Sequence, residues 1–354
     1  MTRPDEAVPV AGPTDPTGPI RVGWRRFLPR PSRVVTGLLV VGIAAVVLIP
    51  DRLWPGLLGL DMTFPLVGFV LVRVPLTLAV VVLGLLALAV RARWWPTLVP
   101  LLVIAGIAAT SLVPRAIPDG PAPDAGPDLR VMSLNVDRGG ADVPALAALL
   151  RERRPDVLVL PEAGEPFRAR LAAQIPDLGY RSFSSVPPSD PDALGTTIFA
   201  GPTLGDVRAR TVPARFPWLE LTGGALGATR LVGVHVVSPV PALIDAWPGE
   251  LDSLARWCAP GAGPAAVVGD LNATADLTAF RRGTGVGSRQ GCTDAGDEAG
   301  KGLLATWPTG LPRWLGAQLD HVLVGGGVGV DGFDVVEVPG TDHRGLLVTV
   351  HAVA

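Results

Sequence analysis

Apolar residues follow two regimes along this chain, and the change between them falls near Leu129. Before it they form long, nearly unbroken runs; after it they come in short bursts separated by Gly, Pro and charged residues. The run from Pro31 to Ile49 is almost wholly Val, Leu, Ile, Ala and Gly. As a helix it would reach about 28 Å, close to the roughly 30 Å hydrocarbon core of a bilayer. Trp94 to Val113 makes a second such run, with Trp94 and Trp95 placed as an interfacial belt. Between them, Phe64 to Val90 is longer than a perpendicular crossing needs and is interrupted by Arg73 and Pro75. Either this helix tilts, or it begins near Val74 with Pro75 in its first turn and Arg73 snorkelling outward. Both versions predict three transmembrane helices within residues 31–113. The first run lacks a small-residue cleavage site, so it is not read as a signal peptide.

Beyond Leu129 the period shortens. Leu129 to Asn135 alternates as a strand, and Asp142 is placed to cap a helix carrying Ala145, Leu146, Leu149 and Leu150, which Pro155 ends. Asp156 to Pro161 reads as a short buried strand that delivers Glu162 to its C-terminal end. Further strands are predicted at Thr196–Ala200, Leu231–Val237, Ala265–Gly269, Leu319–Val324 and Leu346–His351, with a helix around Leu251 to Trp257. More strands than helices, with polar residues recurring at strand ends, predicts an α/β sandwich of two sheets covered by helices. The chain then divides into a disordered N-terminal tail (1–30), the membrane region (31–113), a semi-rigid Pro/Gly/Asp linker (114–128) and an outer domain (129–354).

Composition supports the membrane reading, because 48% hydrophobic residues is too apolar for an ordinary soluble enzyme. Arg21, Arg25, Arg26, Arg30 and Arg33 precede the first span, and Arg91 and Arg93 join the second to the third. Cytoplasmic loops carry the excess of basic residues, so the N-terminus is expected in the cytoplasm and the outer domain outside the cell membrane. The chain before Leu129 holds 11 basic and 8 acidic residues, and the remainder 19 basic and 24 acidic. A net charge of −5 on the outer domain lacks the broad basic footprint of a protein that grips duplex DNA. Cys258 and Cys292 are the only cysteines; outside the cytoplasm they could pair, and two buried thiols are an equal alternative.

The chemistry concentrates at strand ends. Asp270 and Asn272, in Gly269-Asp270-Leu271-Asn272, can orient or deprotonate a water, or simply close an Asx-turn. Glu162, supported by Asn135, offers hard oxygen ligands suited to Mg²⁺ or Mn²⁺. Asp137 is open between metal ligand and former of the Arg138-Gly139-Gly140 turn. His343 is a neutral-pH acid or base, with Asp320 as the carboxylate to orient it. His321 should point to the opposite face from Asp320 and is read as structural, and His351 as exposed.

Six segments occur in order: Ser133-Leu-Asn135-Val-Asp137, Pro155 to Glu162, Val234-His235 with Pro239, Gly269 to Asn272, Leu319-Asp320-His321, and Thr341-Asp342-His343. Together they resemble the endonuclease/exonuclease/phosphatase superfamily from about Leu129 to Ala354. The resemblance implies a four-layered α/β sandwich, two mainly antiparallel sheets flanked by helices, and metal-dependent cleavage of phosphate esters. It implies Asn135, Asp137, Glu162 and Asp342 about the metal, and His235, Asp270, Asn272, Asp320 and His343 as catalytic, with His235 contacting the scissile phosphate. The chain departs from the family at Ala200-Gly201-Pro202, where many members carry Ser-Arg, and lacks long DNA-clamping insertions.

Three spans before this domain are similar to membrane proteins linked to teicoplanin-type glycopeptide resistance, which implies a lipid-linked phosphate or diphosphate as substrate and the bilayer as partner. A surface nuclease acting on extracellular nucleic acid is the alternative; its basic rim would come from Arg208, Arg210, Arg215, Arg281, Arg282 and Arg289. A non-catalytic receptor on the same fold is the third reading, and retention of the whole site argues against it.

Overall fold

The computed structural model describes residues 33–49, 59–89, 95–119, 127–288 and 290–353. The tail (1–30), the arginines at 21–30, 91 and 93, Trp94 and Arg289 lie outside the described residues. In chain order the helices are α1 (Arg33–Leu48), α2 (Leu66–Leu71), α3 (Arg73–Ala89), α4 (Trp95–Leu112), α5 (Val143–Arg153), α6 (Glu165–Gln174), α7 (Trp247–Ser253), α8 (Ala255–Cys258), α9 (Thr278–Thr284) and α10 (Ala295–Glu298). The strands are β1 (Asp128–Ser133), β2 (Val157–Pro161), β3 (Arg181–Ser184), β4 (Thr196–Ala200), β5 (Val207–Val212), β6 (Trp218–Gly223), β7 (Arg230–His235), β8 (Ala265–Asp270), β9 (Thr293–Asp294), β10 (Asp320–Gly325), β11 (Gly329–Val336) and β12 (Gly345–His351).

Two six-stranded sheets form the outer domain, ordered β11-β12-β1-β2-β4-β3 and β5-β6-β7-β8-β10-β9. Among the described strands only β1–β2 and β7–β8 pair in parallel. The period of two sorts side chains into layers. Val157 and Val159 of β2 face Ala266 and Val268 of β8 in the core between the sheets. Leu158 and Leu160 turn outward onto Leu146, Leu150, Phe167 and Leu171 of α5 and α6. On the other side Val232, Val234 and Val267 meet Trp247, Leu251 and Phe280. The order helix, sheet, sheet, helix is the predicted four-layered sandwich. Asp142 caps α5 as expected, accepting from the Ala145 amide at 2.8 Å.

In the N-terminal third, Thr97–Ala116 is the one helix among the described residues long and apolar enough to cross a membrane. Val35–Leu48 and Arg73–Leu86 are shorter apolar helices. Of the two readings of Phe64 to Val90, a long tilted helix or one beginning near Val74, the second is the closer: the stretch breaks at Val72 and α3 begins at Arg73 with Pro75 in its first turn. Val67 and Val70 of α2 are buried in the same apolar cluster as Trp247 and Phe280, so this part of the stretch packs on protein. The Asp61 carboxylate just before it accepts from the Thr278 amide at the start of α9.

Arg73 does not snorkel. It is fully buried, donating to the Val47 carbonyl at 2.9 Å and pairing with Asp276 at 3.4 Å. Nor is the linker free throughout. Arg115 is buried, binding Asp297 at 2.8 Å and Asp276 at 3.2 Å, and Asp119 donates its amide to the Glu298 carbonyl. His351 is buried and paired with Asp128 at 2.8 Å, not exposed. His321 is structural as read: it is buried between Asp294 (2.5 Å) and the Ala273 carbonyl (2.9 Å). The question left open for the cysteines resolves as a disulfide, Cys258–Cys292.

Candidate active site

The parallel pairing of β7 with β8 sets His235 opposite Asp270, and the antiparallel pairing of β8 with β10 sets Asp320 on the other side of Asp270. Three polar side chains thus end one sheet in a row. The facing sheet contributes Glu162 just past β2, Asn135 two residues past β1, and His343 two residues before β12. All six meet where the two sheets abut. Asn135 joins them: its Nδ2 donates to Glu162 Oε1 at 3.1 Å and to Asp270 Oδ2 at 2.9 Å. Asp270 Oδ1 accepts from the Asn272 amide at 2.8 Å, and Asn272 Nδ2 donates to the Val236 carbonyl. The Asx-turn is therefore formed, and it aims the same carboxylate into the site. Glu162 and Asn272 sit at φ 59° and 47°, left-handed conformations that the surrounding structure must hold.

His343 Nδ1 lies 2.8 Å from Asp320 Oδ2, and its Nε2 faces Asp270 at 3.8 Å and Asp342 at 3.9 Å. Burial alone would lower this imidazole, but Asp320 and then Asp270 outweigh it and push it up to about 10. His235 differs. Burial holds it below the usual histidine range, so it is neutral near pH 7. Its ring stacks on Phe216 at 4.8 Å, and its Nε2 is 3.6 Å from Glu162. Burial raises Glu162 and Asp270 above the carboxylate range.

Carboxylates forced upward by burial, with the buried Asp320 Oδ1 left without a hydrogen-bond partner, fit a site that takes a cation. Asp270, Asp320 and His343 each offer one ligand atom within 4.8 Å of the others. His343, charged and bound to Asp320, is a poor ligand in that state. The hard oxygens of Glu162 and Asn135 suit a divalent cation better. Of the remaining expected residues, Asp137 pairs with Arg138 at the rim (2.8 Å), and the half-exposed Asp342 accepts from Trp307 Nε1 at 2.9 Å. Phe216 and Trp307 had no motif to reveal them. Thr341 lay within a motif, yet its role shows only in space: its hydroxyl donates to the Asn135 carbonyl and accepts from the His343 amide.

A cluster of carboxylates at the seam of a two-sheet sandwich, with a buried Asp–His pair, fits a phosphoesterase of the metal-dependent type. The model of the endonuclease/exonuclease/phosphatase family matches residues 132–343, and the chain belongs to that family, whose members are metal-dependent phosphoesterases. Among solved structures, humanized D. rerio TDP2 carrying 14 mutations is 19% identical, with 63% of this chain and 99% of that chain covered and a TM-score of 0.50. The endonuclease/exonuclease/phosphatase from Beutenbergia cavernae DSM 12333 is 19% identical over 64% of this chain and 72% of that chain, with a TM-score of 0.44. D. rerio TDP2 complexed with single strand DNA product is 18% identical, covering 63% and 99%, with a TM-score of 0.48. The first of these likenesses, at a TM-score of 0.50, shows the fold. No curated protein matches the chain.

Proposed function

We propose that this protein is an integral-membrane, Mg²⁺- or Mn²⁺-dependent phosphoesterase with an extracytoplasmic site that hydrolyses a lipid-linked phosphate or diphosphate. The observation that carries the reading is the convergence on Asp276. Val47 at the end of α1, Arg73 at the start of α3 and Arg115 beyond the end of α4 meet there. Three successive crossings put those three ends on one side of a bilayer, and Asp276 is only four residues from Asn272. At about 3.5 Å per residue at most, the site lies within about 14 Å of chain from the membrane helices. The disulfide adds independent support for an oxidising, extracytoplasmic compartment.

Glu162 and Asn135 would hold the cation, with Asp137 and Asp342 nearby. When bound, it would neutralise charge on the phosphoryl oxygens and lower the barrier to attack. Asp270, positioned by Asn135 and Asn272, orients the water and takes its proton as the water oxygen adds to phosphorus and the ester P–O bond breaks, the leaving oxygen taking a proton from solvent. His343, held by Asp320, stabilises the developing negative charge with its Nε2–H, and neutral His235 donates to a phosphoryl oxygen. Arg210 and Arg282 of the suggested nucleic-acid rim are paired with Glu220 and Asp252, which weakens the nuclease reading.

The test compares substrates on detergent-solubilised full-length protein. A lipid phosphate or diphosphate should be cut at least about tenfold faster in kcat/KM than plasmid DNA, about 1.4 kcal/mol in transition-state binding. Chelation of divalent metal and Asp270→Asn should each remove the activity. Plasmid nicking that disappears in Asp270→Asn, with no phosphate released from lipid, would make the nuclease reading correct instead.

A further inference from the structure

Large apolar side chains of the described outer domain stay inside except at Val240, Trp307 (37% exposed), Leu311 (41%) and Trp314 (57%). Three of the four lie on one loop between α10 and β10, and that loop is built rather than loose. The buried Arg344 guanidinium donates to the carbonyls of Pro308 (3.0 Å), Thr309 (3.0 Å) and Leu311 (2.6 Å). Such a fixed loop would ordinarily turn its indoles inward. Between Ala305 and Gln318 its only charged residue is Arg313, and no carboxylate occurs there.

The loop has two neighbours. On one side Trp307 Nε1 donates to Asp342, and the Thr309 amide donates to the Asp342 carbonyl, so the loop forms part of the mouth of the site. On the other, its stems rest against the ends of the N-terminal helices. Arg115 Nη2 donates to the carbonyl of Gly302 and to Gln318, and Leu303, Gly316 and Gln318 share a crevice with Leu71 and Val74. From Gly302 to Trp307 is five residues, at most about 18 Å of chain. An apolar tip carrying two tryptophans, continuous with helices that leave a bilayer, has the composition of an interfacial anchor.

We infer that the Trp307–Trp314 loop seats in the outer leaflet and forms the rim over which a substrate's hydrocarbon chain runs into the site. The seating rests on the membrane topology proposed above, and the second half of this inference rests also on the lipid-phosphate substrate. Trp307 is left intact in the test because it touches Asp342, and Leu311 and Trp314 are changed instead.

The full-length protein is placed in phosphatidylcholine nanodiscs with and without brominated acyl chains. The tryptophan fluorescence lost on Trp314→Phe should be quenched by the brominated lipid. In the same discs, Leu311→Ala/Trp314→Ala should lower kcat/KM on long-chain polyprenyl diphosphate and dioleoyl phosphatidic acid by about tenfold or more. Activity on geranyl diphosphate and dibutyryl phosphatidic acid should stay within about twofold of wild type. Absence of quenching, or equal losses on long and short substrates, overturns the inference. Quenching in a wild-type protein that hydrolyses none of these lipids supports the seating and overturns the lipid-substrate reading alone.

Discussion

Asp270 draws together more of the site than any other side chain, accepting from Asn135 and Asn272 while facing His343. Glu162 is the residue whose removal should be most specific to the cation. Glu162→Gln keeps shape and should cost about 10²-fold or more in kcat, together with weaker divalent binding by calorimetry, while circular dichroism stays unchanged. Away from the site, His321 and Asp294 make a buried pair at 2.5 Å. Burial alone lowers His321, but Asp294 reverses this and raises it, while Asp294, which burial alone would raise, is lowered chiefly by the His321 charge. A raised histidine stabilises fully below about pH 6.5 and loses that contribution as pH rises through its folded value; a lowered aspartate contributes above about pH 3.9 and loses it on acidification. The difference in unfolding temperature between wild type and His321→Gln should therefore be largest between about pH 4 and 6.5 and shrink toward alkaline pH. A difference that grows with alkalinity would contradict this pairing. Asp342 and His343 stood out only through the family motif, whereas Glu162, His235 and Asp270 were legible because each closes a short apolar run. Phe216 and Trp307 were not, since their partners lie far along the chain.

At the scale of elements, seven strands were read close to their observed bounds, while β3, β5, β6, β9 and β11 were not. β5 mixes Val207 and Val212 with Arg208, Arg210 and Thr211 and has only one neighbour, so its burial pattern is weak. The opposite error occurred at Leu66–Leu71, where a hydropathy window cannot tell lipid from the Trp247–Phe280 cluster as the apolar partner. Arg73 posed the same problem, because its counter-ion is 203 residues away. That contact has a measurable worth. Asp276→Ala strands Arg73 and deprives Arg115 of one partner, and breaking a buried pair costs about 3–5 kcal/mol. Thermal unfolding in nanodiscs should show that loss. Arg73→Met in the same background should recover part of it, a coupling a double-mutant cycle reads directly.

For the whole molecule, these contacts change what a protease should find. A flexible tether would release the outer domain once cut. The segment after α4 instead holds Arg115 buried against Asp276 and Asp297, while Ala116 to Asp119 are exposed. Trypsin should therefore spare Arg115 on intact spheroplasts, whereas a broad-specificity protease should cut at Ile117–Asp119, because proteolysis follows exposed backbone. The cut fragment, beginning just before β1, should stay on the membrane through Arg73, Asp276 and the α2 face, and dissociate when Asp276→Ala removes the shared carboxylate. The same digestion reads orientation. On the proposed topology, three crossings with a cytoplasmic N-terminus would leave the cut site outside, so cleavage should need no detergent. If the segment is protected until the membrane is opened, the orientation is inverted and the substrate lies in the cytoplasmic leaflet. If the fragment falls free at once, the Arg73–Asp276–Arg115 contact does not hold the domain to the membrane helices.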